Sequence, residues 1–123
     1  MPVDVRLDRN SVVIDVRGAD MLASLRRRLE IPFADIVSAR VDDVATLKPD
    51  LGIRVRGGYW PGRMITGRFT TRGRKGGRQF WLVYRDQEVL VIDTSRDRFH
   101  RVVVQHPARE ELAREIDARG IAG

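Results

Sequence analysis

His100 and His106 are the only histidines in the chain, and Asp93 and Asp97 lie close to them in sequence. These residue types suit acid–base or metal chemistry, because imidazole titrates near neutrality and a carboxylate can orient it or share a cation. Their spacing argues against both roles. The two histidines and two aspartates offer no convergent third ligand at a recognised interval, and no HExxH or related motif occurs. A surface or helix-capping role is expected for both histidines. None of the serines, Ser11, Ser24, Ser38 and Ser95, sits in a G-x-S-x-G elbow. The absence of cysteine removes a thiolate nucleophile, a thiolate metal site and a disulfide scaffold. The carboxylate pairs Asp42-Asp43 and Glu110-Glu111 read as turn and helix-start residues. The expectation is therefore no catalytic residue, no metal and no cofactor.

Two other groups suit binding. In Gly57-Gly58-Tyr59-Trp60-Pro61-Gly62-Arg63, adjacent aromatic rings stand among glycines, and Arg63 is placed to stack on Trp60. The segment lacks the pattern of a phosphate-cradling loop. It reads as an exposed contact loop or, alternatively, as two rings folded back to plug one end of the fold. In Thr71-Arg72-Gly73-Arg74-Lys75-Gly76-Gly77-Arg78, the cations Arg72, Arg74, Lys75 and Arg78 crowd a glycine-rich hairpin tip. Such a tip can contact phosphate groups of lipid or nucleic acid, at roughly 1 kcal/mol per basic residue near an anionic surface. The plainer alternative is a solvated tip.

That cluster belongs to a larger asymmetry. The net charge is +6, yet residues 51–85 hold nine Arg and Lys and no Asp or Glu, so the rest of the chain is net negative. One acid-free segment carries the whole excess, a pattern that steers anionic partners.

These groups must be positioned by a small fold. At 123 residues the chain is the size of one domain with one core, taken as 1–123. Val3–Leu7 alternates as a strand and pairs with the β-branched run Val12–Val16 across a turn at Asp8–Ser11. Met21–Leu25 is expected to form one or two helical turns capped by Asp20. Arg27–Ile31 and Ile36–Val41 read as strands, with a helical turn through Leu47. Ile53–Arg56 alternates cleanly. Met64–Thr71 is a strand whose Gly67 marks a bulge or close backbone approach. Gln79–Arg85 and Val89–Asp93 follow, joined by a turn at Asp86-Gln87, and Arg98–Val104 is the last strand. Phe80, Leu82 and Tyr84 fall on one face, with Trp81 and Val83 on the other. Since both faces are largely apolar, this strand is expected to be buried on two sides or engaged in an interface. Only the C-terminus reads as a full helix, beginning at Pro107, with Ala108, Leu112 and Ile116 as its apolar stripe and Gly120 as terminator. About seven to nine short strands with one terminal helix give a mainly β, α+β chain, an antiparallel sandwich or barrel.

Several stretches resemble the bacterial pleckstrin-homology (PH)-like domains: Arg28-Leu29-Glu30-Ile31-Pro32-Phe33-Ala34-Asp35-Ile36, the Pro61-Gly62 loop before a strand, Phe80-Trp81-Leu82-Val83, Val89-Leu90-Val91-Ile92-Asp93, and Val102-Val103-Val104 before the terminal helix. The resemblance covers nearly the whole chain. It implies a PH-like antiparallel barrel capped by the helix, no catalytic residues, and roles in protein or lipid contact or self-assembly. It does not extend to phosphoinositide binding, because the first hairpin turn offers only Arg9 beside Asp8.

The expected function is a non-catalytic binding or assembly module, acting through homo-oligomer contacts or a protein partner. The alternative is recognition of an anionic surface, lipid headgroup or nucleic acid, through residues 51–85. The N-terminus lacks a signal-peptide layout, and no apolar run reaches transmembrane length. A bacterial-style cytoplasmic protein is the expectation.

Overall fold

The computed structural model describes residues 3–16, 28–60, 64–85, 87–96 and 98–122. The expected helical turns at 21–25 with their Asp20 cap, the Pro61-Gly62 loop with Arg63, and Asp86 and Asp97 lie outside the described residues.

The chain is mainly β. Strands β1 (Val3–Leu7), β2 (Ser11–Val16) and β3 (Arg28–Pro32) form a three-stranded antiparallel sheet with β2 in the middle. The β-branched run of β2 suits that central place, and Asp8 N–H donates to Ser11 O at 2.8 Å to close the first turn. A 3-10 turn at Phe33–Asp35 leads into β4 (Ile36–Asp43), the short helix α1 (Val44–Leu47) and a second 3-10 turn at Lys48–Asp50. Strands β5 (Leu51–Trp60), β6 (Met64–Thr71), β7 (Arg74–Tyr84), β8 (Glu88–Thr94) and β9 (Arg101–Val104) follow, and helix α2 (Arg109–Ala122) ends the chain. With β4 they form a six-stranded sheet in the order β4-β8-β9-β7-β6-β5.

This arrangement corrects the expectation of an antiparallel barrel. The larger sheet is open, with β4 and β5 as its edges, and β9 runs parallel to β7. The parallel pair arises because the chain leaves β7, makes the β8–β9 hairpin, and inserts β9 beside β7. Helix α2 caps no barrel mouth. It packs along β4, with Ala113 and Ile116 buried in the core and Leu112 packed against it. Gly120, expected to end the helix, lies within it: a Cβ there would fall 3.1 Å from Ile36 Cγ2. The glycine serves close helix–strand approach.

The alternation in β7 is realised as two cores on opposite faces of the large sheet. Phe80 and Leu82 join Leu90, Ile92, Val102 and Val104, and with the small sheet and α2 they form the first core. Trp81 and Val83 join Ile65, Phe69, Val89, Val91 and Val103 under Val44, Leu47 and Leu51, forming the second. Phe80, Trp81 and Leu82 are wholly buried within the single chain. Their two-sided apolarity is thus explained by internal packing and leaves nothing for an interface. Gly67 takes φ 111°, a backbone conformation that favours glycine, and pairs with Trp81 without a register shift, so it does not mark a bulge.

Three element boundaries differ from expectation. Residues 57–60 belong to β5 instead of a loop, and β7 begins at Arg74, so the hairpin tip narrows to Arg72-Gly73. The last strand begins only at Arg101, because Phe99 turns the backbone to φ 64°.

Candidate functional site

Strand β5 concentrates the exposed apolar surface. Among the described residues five large apolar side chains are exposed, and four of them are on β5: Ile53, Val55, Tyr59 and Trp60. The reason is local. Register shifts between Leu51 and Arg54 and between Arg54 and Arg56 place extra β5 residues against β6. Bulges of this kind re-aim side chains, and Ile53 and Val55 stand 77% and 50% exposed. Ile53 N–H is held by Thr70 Oγ1 at 2.7 Å. The ladder is regular from Arg56 to Trp60.

The two edges of the large sheet are treated differently. Along β4 the helix covers the edge, and Ala39 N–H donates to Asp117 Oδ1 on α2 at 3.1 Å. Beside β5 no further strand or helix lies among the described residues. An edge of ten residues, left uncovered by the described chain, is a ready template for another chain.

The residues singled out from sequence are divided by this geometry. Tyr59 and Trp60 are neighbours in a strand and so point to opposite faces. Tyr59 pairs with Ile65 and takes Lys48 Nζ 5.9 Å from its ring centroid, while Trp60 pairs with Met64 and is 63% exposed. Neither ring plugs the core. Arg72, Arg74 and Lys75 are exposed at the opposite end of β6, and Arg78, half-buried, donates to Gly77 O at 3.2 Å. The eight residues of β6 separate the aromatic pair from the basic tip, on the order of 25 Å. The tip instead adjoins the start of β5: Thr71 pairs with Leu51, and Arg72 N–H donates to Asp50 O at 2.8 Å. Exposed Ile53, Arg54 and Val55 follow this pairing along β5, with Ile53 N–H bonded to Thr70 and Arg54 opposite Phe69.

The histidines do not share a site. They flank β9 at its two ends, on the order of 20 Å apart. His106 Nδ1 accepts Ala108 N–H at 3.0 Å and caps the entry to α2, as expected for a capping group. His100 is buried, not at the surface: its ring hydrogen-bonds Thr71 Oγ1, its N–H donates to Arg78 O, and its carbonyl accepts Thr94 N–H. It lines a cleft of about 320 Å³ with Asp50, Asp93, Arg74 and Arg101. Arg101 binds Asp50 and Asp93, each at 3.0 Å, and Arg40 also pairs with Asp93. Burial pushes the Asp93 carboxyl up, but hydrogen bonds from Arg40 and Arg101 outweigh it and hold it below the usual carboxylate range. Both carboxylates are thereby engaged by guanidinium groups.

The chain matches no protein-family profile, no curated protein and no solved structure.

Sequence reasoning missed Ile53 and Val55. Their alternation with Arg54 and Arg56 is the ordinary pattern of a half-buried strand, and nothing in it encodes the bulges that expose both. The one available signal is the acid-free charge around them.

Proposed function

We propose that this protein is a non-catalytic binding module that docks a protein partner along β5. The observation that carries this is the gathering of four exposed apolar side chains on an edge strand that no strand or helix among the described residues covers, in a sheet whose other edge is closed by α2. Leaving Ile53 and Val55 in water forgoes roughly 1.5–3 kcal/mol each relative to full burial, which a partner would recover. The acid-free segment supplies long-range attraction for that partner. A photo-crosslinking amino acid at Val55 should capture a protein in cells, and a control at exposed Glu111 should not. Loss of the crosslink in Ile53→Lys supports docking on β5; equal capture from both positions, or none from Val55, refutes it.

A second function is favoured by the nearness of Ile53 and Val55 to Arg72, Arg74 and Lys75: attachment to an anionic lipid surface, with the aliphatic side chains inserted among headgroups. Nucleic acid is less well served, since the aromatic rings that would stack bases lie at the far end of β6. Sedimentation with phosphatidylserine vesicles that is lost in Arg72→Ala/Arg74→Ala/Lys75→Ala supports attachment. Absence of binding at low salt rejects it.

We further assign the chain to the bacterial PH-like domains and place it in the cytoplasm. The assignment rests on the quoted stretches and on a β-rich chain ending in a helix; the open six-stranded sheet, the parallel β7–β9 pair and a helix packed along β4 are its departures from a helix-capped antiparallel barrel.

A further inference from the structure

We infer that the partner seated on β5 is an extended, acidic segment of another protein and not a second copy of this chain. This inference rests on the proposed docking along β5. Length and shape come first. Ten residues of strand present an edge of roughly 30 Å, with Ile53 and Val55 near one end and Trp60 at the other. Apolar contacts spaced along a line suit an extended chain, whose side chains alternate at the same period.

Charge then selects the partner. β5 contains no acidic residue, and its start meets the exposed cations Arg54, Arg72 and Lys75. The neighbouring Asp50 carboxylate is already engaged by Arg101 Nη1 at 3.0 Å, and residues 51–85 hold no carboxylate at all. An acidic segment would supply carboxylates to face those cations.

The same facts disfavour self-pairing. In a two-fold pairing of β5 with itself, neither strand offers an acid to face Arg54, and like charges across a ladder are destabilising. A two-fold pairing would also bring in the two register shifts at the start of β5 twice, once from each copy, whereas a separate segment meets them once and can pair with the regular stretch Arg56–Trp60.

The test uses two labelled ten-residue peptides, one alternating Val with Asp and the other alternating Val with Lys. Binding is followed by fluorescence anisotropy and by hydrogen exchange of the β5 amides. The acidic peptide should bind, slow exchange across Arg56–Trp60, and weaken with added salt; the basic peptide should do neither. The charge reversals Arg54→Glu and Arg72→Glu, both at exposed positions, should each reduce affinity about tenfold. Equal binding of both peptides, or no protection on β5 with the acidic one, overturns the inference. If β5 protection instead rises with protein concentration alone, a second copy is the occupant: the inference fails and docking on β5 stands. If crosslinking from Val55 also fails, docking on β5 falls with it.

Discussion

Asp117 on α2 accepts the Ala39 N–H of β4 through its Oδ1 at 3.1 Å, and this bond ties the helix to the edge of the large sheet. A backbone donor that would otherwise face outward is satisfied by a side chain seventy-eight residues away in sequence. The bond and the packing of Ala113, Ile116 and Gly120 against the β4 side close one edge of the sheet. The open edge is β5, and the functional proposal follows from that difference.

Asp117→Ala should lower unfolding stability by about 1–2 kcal/mol, since it strands a partly buried backbone donor and removes a charged acceptor. Asp117→Asn keeps an acceptor oxygen and should lose less. Urea unfolding of the two variants checks the order; equal losses would show that the bond contributes nothing specific.

Gln79 is fully buried beneath the second core and organises three partners. Its Oε1 accepts Trp81 Nε1–H at 3.0 Å, while Nε2 donates to Asp50 O at 3.1 Å and to Thr71 Oγ1 at 3.2 Å. Thr71 in turn bonds the His100 ring. Gln79→Leu preserves volume but orphans the buried indole N–H of Trp81, while the Asp50 carbonyl keeps the Arg72 N–H. A loss of about 2–3 kcal/mol is expected in thermal or urea unfolding. A loss below 0.5 kcal/mol, on the scale of an ordinary surface substitution, would contradict this account.

Two groups make stability fall on acidification. Asp93, held low by Arg40 and Arg101 against the opposing effect of burial, contributes stability that is complete above its unfolded pKa. That contribution is lost as pH drops through the lower folded value, so Asp93→Asn should flatten the acid limb of stability against pH. For His106, burial pushes the imidazole below its ordinary 6.5, and the charge of Asp4 opposes this in part. Protonation at Nδ1 would set two N–H groups against each other at the Ala108 cap. The contribution of His106 is therefore complete above about 6.5 and lost as pH falls through its lower folded value. NMR titration should give a His106 midpoint below 6.5 and, above it, the tautomer with the proton on Nε2; a midpoint above 6.5 would contradict the cap.

The sequence by itself determined a mainly β chain with a terminal helix, the opposite faces of Phe80 and Trp81, and the charge asymmetry of residues 51–85. These follow from local rules: period-two alternation, β-branched runs, turn residues and the plain count of charges. Tertiary structure decided which strands are neighbours. The insertion of β9 beside β7 depends on a global choice that no local pattern records, and so does the open sheet with β4 and β5 as its edges. Tertiary structure also decided which apolar residues are covered. Val89 and Val55 look alike in sequence; Val89 meets the second core, while Val55 follows a register shift on an edge strand and is left in solvent. Burial depends on what the rest of the chain brings to a position, and at β5 the described chain brings β6 on one side and no strand or helix on the other.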